Sequence, residues 1–183
     1  MMKSYKRAKV IDESAQIGKG TRIEPGVIIF ENCRIGNNCI IGANAVLRPN
    51  TMIGDNTIFG TGSVSEGDNV IGNDVTIHAQ CHITKKVSIG NRCFIAPFFI
   101  ASNTPNIRTG KHGNNRTKEK LITLPCVIGH DVRIGVCVSV IPGITIGHNS
   151  LIYQNTLITK NIPPYSIVKS FGGLVGRVIG SLE

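Results

Sequence analysis

Histidine is the side chain best suited to move protons near neutral pH, and three of the five histidines occupy positions that leave this chemistry open. His112 lies in a polar, basic stretch, whereas His78 and His82 are close neighbours within one short repeat. The structural alternative for His112 is a solvated loop residue. For His78 and His82 it is a surface or interface residue. His130 and His148 stand where similar turns carry Asn or Asp, so we predict that they form turns.

The stretch around His112, residues 102–121, carries five basic residues and one acid, which is a net charge of +4 out of the chain's +9. The first ten residues supply another +4. Such local charge suits a phosphorylated small molecule, for example coenzyme A or a nucleotide sugar. Nucleic acid is a weaker explanation, because the sequence has no aromatic platform, zinc finger or recognition-helix pattern.

The rest of the chain must hold these residues in place, and its composition predicts an all-β fold. The sequence has 28 Ile and 15 Val against 7 Leu, no Trp and 21 Gly. β-Branched residues favour close-packed strands over helices, and frequent Gly indicates many turns. A helical bundle is therefore excluded.

A period of six residues decides the architecture. Large apolar residues recur every six positions from Ile11 to Ala101, with Ser65 and Ala101 as the exceptions, and a second series runs from Ile122 to Ile158. The two series are out of phase across 102–121, so this segment is predicted to be a loop inserted into a regular coil. Loops of that length are usually functional or disordered.

This hexapeptide pattern resembles the left-handed parallel β-helix proteins, in which three hexads form one triangular coil. The resemblance implies seven to eight coils over residues 11–163, a basic N-terminal segment at 1–10 and a short C-terminal cap at 164–183. Five of the six cysteines fall at the small inward position of their hexads and are predicted to be buried free thiols. Cys137 is out of phase and is predicted to face a corner.

The C-terminal half, from Val127 to Ser166, resembles the hexapeptide acyltransferases. In that family the final coils form the coenzyme A groove, and Thr159-Lys160 matches the segment whose Lys approaches the cofactor. The resemblance implies acetyl-CoA as co-substrate, with Lys160, Thr159, Ser139 and Arg177 as cofactor-binding residues, and no metal.

The segment from Phe94 to Asn103 resembles the nucleotide-linked 3-amino-sugar N-acetyltransferases, where it ends in an active-site Asn that matches Asn103. One coil earlier that family has an aromatic-acid-glycine turn, whereas this chain has Thr84-Lys85-Lys86. The resemblance implies acetyl transfer to a nucleotide-linked amino sugar. Asn103 would orient the nucleophile or the thioester, and Arg108, Lys85 and Lys86 would bind the substrate.

Three other functions remain open. A sugar hydroxyl as acceptor would require a general base, which makes His112, His78 or His82 the candidate. A zinc site like that of the γ-class carbonic anhydrases agrees less well with the sequence, because the spacing between His78 and His82 differs from the spacing in that family. A non-enzymatic scaffold would need neither the insertion nor the Lys160 segment.

The family builds its active sites between subunits, which implies a homotrimer. Apolar residues predicted to face outward agree with an interface, namely Ile28, Phe30, Ile58, Phe98, Phe99 and Ile100. The sequence also has no apolar run long enough to span a bilayer and no signal-peptide pattern at its start, so we expect a cytoplasmic protein.

Overall fold

The computed structural model describes residues 10–105, 122–169 and, for the main chain, 173–177. In these residues the chain forms 24 short strands, β1 to β24 in chain order, arranged as three parallel sheets that make the faces of a triangular prism. This is a left-handed β-helix of about eight coils, as the sequence predicts. No helix is present in the part of the chain that the structure describes.

From β1 to β22 the strands are divided among the three faces in strict rotation, and β23 and β24 then both add to face C, where β24 is antiparallel to β23. Face A contains β1 (Val10–Ile11), β4 (Ile28–Ile29), β7 (Val46–Leu47), β10 (Val64–Ser65), β13 (His82–Ile83), β16 (Ile100–Ala101), β19 (Ser139–Val140) and β22 (Leu157–Ile158). Face B contains β2 (Gln16–Ile17), β5 (Arg34–Ile35), β8 (Met52–Ile53), β11 (Val70–Ile71), β14 (Ser88–Ile89), β17 (Val127–Ile128) and β20 (Thr145–Ile146). Face C contains β3 (Arg22–Ile23), β6 (Ile40–Ile41), β9 (Ile58–Phe59), β12 (Thr76–Ile77), β15 (Phe94–Ile95), β18 (Arg133–Ile134), β21 (Leu151–Ile152), β23 (Ser166–Lys169) and β24 (Gly173–Arg177).

Each two-residue strand points its first side chain outward and its second inward, because successive side chains alternate across a sheet. In β5, for example, Arg34 is exposed and Ile35 is buried. The turns between faces contain a residue with positive φ, usually Asn or Asp, which tolerate that conformation. We name the turns A–B, B–C and C–A corners after the faces that they join.

The prism interior is apolar and contains five thiols. Cys33, Cys39, Cys81, Cys93 and Cys126 are buried free cysteines, and Cys137 is exposed at a C–A corner, as predicted. Burial raises the pKa of the Cys93 thiol to about 11, so this group stays protonated at neutral pH.

Two sequence expectations about orientation are wrong. Phe99, expected to face outward, is fully buried, because it occupies the inward corner position before β16 and the small Ala101 follows it two residues later. Ile122, expected as the first inward residue after the insertion, is 65% exposed and lies outside any strand. The regular coil resumes at Cys126 and β17.

The insertion leaves the register of the coil intact. Paired residues in neighbouring coils are 18 positions apart, as in His82 and Ile100, whereas Ile100 pairs with Ser139, 39 positions later. The two ends of the insertion are tied together, since the N–H of Leu124 donates to the carbonyl of Asn103 at 2.7 Å. An added segment of 21 residues therefore leaves and re-enters the prism at one A–B corner.

Candidate functional site

Asn103 lies at the A–B corner where the coil opens into the insertion. The residue is only 7% exposed, and its Nδ2 donates to the carbonyl of Lys85 in the coil below at 3.1 Å. Its Oδ1 accepts a hydrogen bond from the hydroxyl of Thr104 at 3.1 Å. Because an amide has two N–H donors and an oxygen with two lone pairs, these two bonds to described residues use one donor and one acceptor position of Asn103.

His82 lies in β13 on face A, one coil before β16, which is the last strand before the insertion. It has an acidic partner. Its Nε2 is 2.8 Å from Oε1 of Glu66, and both side chains are less than half exposed. Beside them, the Oγ1 atom of Thr84 is buried and has no hydrogen-bond partner among the described residues. A buried hydroxyl without a partner indicates that another group completes this corner.

Lys85 and Lys86 form the turn that follows β13. The Nζ of Lys85 is 3.2 Å from Asp68, and Asp68 also accepts a hydrogen bond from Nδ2 of Asn50 at 2.7 Å. The Asn50 bond, together with Lys85, holds the pKa of Asp68 below its usual value. Lys86 has a positive φ and is exposed, and its charge also contributes to the lowered pKa of Asp68.

Three of the four predicted cofactor residues, Ser139, Thr159 and Lys160, occupy the same side of the prism. Ser139 is half-buried on face A beside Ile100 and Leu157. Thr159 and Lys160 are exposed at the A–B corner that follows β22. The structure therefore aligns Ser139, Thr159 and Lys160 with Asn103 and His82 along face A and its A–B edge.

Other candidates lie elsewhere. His78 is at the C–A corner, on the opposite edge of face A, where its ring makes an edge contact with Phe94 at 5.0 Å between centroids. The main chain of Arg177 pairs with Ser166 in the sheet of face C. Arg108 and His112 lie outside the described residues.

His130 and His148 occupy turns of the B–C corner, as predicted. Nδ1 of His130 accepts a hydrogen bond from the N–H of Asn91 at 2.9 Å, which is the role that Asn and Asp oxygens have in the coils before it. Nδ1 of His148 contacts Nδ2 of Asn149 at 3.1 Å. Both therefore act as turn residues.

Sequence reasoning missed Glu66, Asp68 and the unpartnered hydroxyl of Thr84. The only sequence signal for these residues was Ser65, which interrupts the apolar series directly before Glu66. Within residues 10–105, 122–169 and 173–177, no three His, Cys, Asp or Glu side chains are grouped in a way that could hold a metal ion. The same residues contain no helix long and apolar enough to cross a membrane.

Comparison with known proteins agrees with this architecture. In sequence, the model of the bacterial transferase hexapeptide (six repeats) matches residues 32–64 and 70–98, and that of the hexapeptide repeat of succinyl-transferase matches residues 125–160. Galactoside O-acetyltransferase from Escherichia coli K12 is 35% identical over 97 residues, 53% of this chain and 45% of that protein. The chain thus spans less than half the length of the curated relatives it matches.

Two solved structures share the fold. UDP-N-acetylglucosamine acyltransferase from Campylobacter jejuni has a TM-score of 0.63 and 17% identity, covering 92% of this chain and 73% of that chain. A variant of AntD, an N-acyltransferase from Bacillus cereus, has a TM-score of 0.55 and 16% identity, covering 90% and 84%. With its recurring hexads and its matches on both sides of the insertion, the chain belongs to the hexapeptide-repeat transferase family.

Proposed function

We propose that the protein transfers an acetyl group from acetyl-CoA to the amine of a nucleotide-linked amino sugar. The observation that carries this proposal is the side chain of Asn103, buried and fixed by Lys85 and Thr104 where the insertion begins. An amide in this place holds a reacting group in line and polarises a carbonyl without changing its own charge. An amine that loses its proton on binding needs no further base.

The position of the acyl donor follows from the cations and hydroxyls along face A. Lys160 is exposed and can meet phosphate oxygens, while Thr159 and Ser139 offer hydroxyls between Lys160 and Asn103. The AntD structure contains coenzyme A and dTDP-4-amino-4,6-dideoxyglucose, which supports both ligand classes for a protein of this fold. Lys85, Lys86 and Arg108 are the proposed contacts for the nucleotide.

A sugar hydroxyl is the second candidate acceptor, because of the contact between His82 and Glu66. A carboxylate bonded to one imidazole nitrogen orients the ring and fixes its tautomer, which is the arrangement of a general base. The galactoside O-acetyltransferase named above supports this alternative by its own activity. His82 would then remove the hydroxyl proton.

The two candidates are separated by an acceptor screen with detection of free coenzyme A thiol. We expect turnover with uridine- or thymidine-linked amino sugars, and a His82→Gln variant that keeps more than about a tenth of wild-type kcat. Acetylation of hydroxyl acceptors alone, with a loss of about 10²–10⁴-fold in His82→Gln, would establish the O-acetyltransferase instead. His148→Gln is the matched control, since His148 lies at the B–C corner.

We further propose a homotrimer in the cytoplasm, with each active site completed by a neighbouring subunit. Its support is the exposed apolar surface around face A, where Phe98 is 53% and Ile100 44% exposed. Sedimentation at micromolar concentration should give three times the mass of the chain. A stable monomer would remove the shared site.

A further inference from the structure

Three polar side chains lie inside the prism beneath the candidate site: Thr51, Ser65 and Asn69, all with no solvent exposure. We call them the internal polar chain. Ser65 stands in the inward ladder of face A between Leu47 and Ile83, where a large apolar residue is the rule. Burying polar groups is unfavourable unless each is hydrogen-bonded, so their bonds decide what they do.

In the internal polar chain the hydrogen bonds are donated successively from Asn69 to Ser65 and from Ser65 to Thr51. Nδ2 of Asn69 donates to Oγ of Ser65 at 2.8 Å and to the carbonyl of Ile83 at 3.2 Å. Thr51 donates its single hydroxyl proton to the carbonyl of Arg48 at 2.7 Å, so Ser65 must be the donor in its 2.8 Å contact with Thr51. Oδ1 of Asn69 accepts from the N–H of Val87 at 2.8 Å. The chain thus joins the A–B corners of three successive coils.

Each anchored residue is next in sequence to a residue of the candidate site. Ser65 precedes Glu66, Asn69 follows Asp68, and Ile83 lies between His82 and Thr84. The carbonyl of Ile83 also accepts the N–H of Glu66 at 2.9 Å. The strand that carries His82 and the turn that carries Glu66 are therefore tied to each other from inside.

The turn that carries Glu66 has an unusual backbone conformation. Gly67 has φ of +101° and Asp68 has φ of +50°, so two consecutive residues have positive φ, whereas the corner one coil earlier has only Asn50 in that region. A Cβ on Gly67 would lie 2.7 Å from the carbonyl oxygen of Pro49. This backbone conformation distinguishes the turn that carries Glu66 and Asn69 from the corner one coil earlier.

We infer that the internal polar chain is a positioning device that fixes Glu66 against His82. An apolar ladder would fill the same space without demanding any one geometry, whereas these bonds are satisfied only when the turn and the strand keep their present relation. The inference rests on the proposed function in one respect, that the A–B corner is where the acceptor binds. Thr51, Ser65 and Asn69 act through Glu66 and touch no substrate.

The decisive variant is Asn69→Thr. A Thr hydroxyl can still accept the N–H of Val87, as Thr57 accepts the N–H of Val75 at the B–C corner, but it cannot donate to both Ser65 and Ile83. The matched control is Thr57→Val, which loses a buried hydroxyl of the same coil, 2.9 Å from the carbonyl of Gly72, far from His82.

We expect Asn69→Thr to lower kcat by no more than His82→Gln does, which is less than about tenfold with an amine acceptor and about 10- to 100-fold with a hydroxyl acceptor that needs a base. The KM for acetyl-CoA should be unchanged in both cases. Thr57→Val should shift the melting temperature by a similar amount and leave kcat unchanged. In a Glu66→Gln background, Asn69→Thr should cause no further loss, since residues that act as a unit are not additive.

A measurement without substrate separates failure of this inference from failure of the proposed function. The ¹⁵N spectrum of His82 reports the hydrogen bond at Nε2, and we expect it to change in Asn69→Thr and in Glu66→Gln but not in Thr57→Val. An unchanged His82 spectrum in Asn69→Thr, or additive losses in the double variant, would overturn the positioning role. Changed spectra in a protein that acetylates none of the acceptors would preserve it and refute only the proposed reaction.

Discussion

The B–C and A–B corners of the prism are made by the same six-residue repeat but satisfy their polar groups differently. At the B–C corner one side chain in each of five successive coils serves the coil below it: Asn37, Asp55, Asn73, Asn91 and His130 each accept one main-chain N–H at 2.6–2.9 Å. At the A–B corner around residues 66–103, the charged side chains Glu66 and Asp68 pair with His82 and Lys85, and Thr84 is left without a partner among the described residues.

On the proposed function, this contrast separates stability from catalysis. A corner whose donors and acceptors serve the next coil has little left with which to bind a ligand. The A–B corner has a fixed amide, a His–Glu pair and a hydroxyl without a partner among the described residues, which are the groups proposed to meet the ligand. Substitutions at the two corners test that difference.

Replacing Asn103 by Ala should lower kcat by about 10²-fold or more, which is typical for loss of a fixed donor at a reacting carbonyl. Asn73→Ala removes an amide from the B–C corner and should leave kcat within about twofold of wild type. Steady-state kinetics with the best acceptor from the screen compares the two. Equal kcat values would show that the A–B corner is structural as well.

Replacing Gly67 by Ala should lower the free energy of unfolding by about 1–2 kcal/mol or more, because a residue with a Cβ is strained at φ of +101° and meets the Pro49 carbonyl. Urea unfolding measures the change. A stability equal to wild type would mean that the turn relaxes easily and does not hold Glu66.

Replacing Asn91 by Ala should cost about 0.5–1.5 kcal/mol of stability, since the N–H of Asn73 loses its acceptor. Asn91→Asp keeps an acceptor oxygen and should restore most of the loss. Neither change should alter kcat, and a drop in kcat for Asn91→Ala with normal stability would contradict the division between the corners.

The smallest effect concerns Asp131 and Arg92, which are joined by two hydrogen bonds of 2.7 Å at the B–C corner. These bonds hold the pKa of Asp131 below its usual value of about 3.9. Because the folded pKa is the lower one, the pair stabilises the fold above pH 4 and loses this contribution as the pH falls through the folded pKa. The pair is exposed, so the contribution is small.

Urea unfolding of wild type and Asp131→Asn at pH 7 and pH 3 checks this sign. The wild type should be slightly more stable at pH 7, and the difference should shrink at pH 3. A difference that grows with acidity would show that the carboxylate is unfavourable in the folded chain.

The fold was predictable because the residues that face the prism interior can be recognised directly from their spacing in the sequence. A large apolar residue every six positions leaves little choice of architecture, and the phase change between Ala101 and the second series located the insertion. Phe99 was misplaced because the ladder fixes only the average volume inside a coil. A large residue at a small position is accepted when its neighbour, here Ala101, is small.

The site was predictable only in part, for a physical reason. Asn103 and Lys160 were predicted through family resemblance, and their roles stay predictions. The pairing of Glu66 with His82 joins residues 16 positions apart, which face each other only because neighbouring coils stack at an offset of 18. The break in the apolar series at Ser65 was visible in the sequence. Its role could be understood only from the hydrogen bonds to Thr51 and Asn69, which depend on packing across three coils.

The intact register across the insertion has a consequence for how the chain folds. Between β1 and β22 every strand pairing closes a loop of 18 residues, except the three pairings that cross the insertion, which each span 39. Loop-closure entropy grows only with the logarithm of length, so this roughly doubled span costs about 0.6 kcal/mol, once. Folding can therefore begin in either half and spread through nearest neighbours, as in other solenoids. The segment beside Asn103 can lengthen or change sequence at very little cost to assembly of the prism.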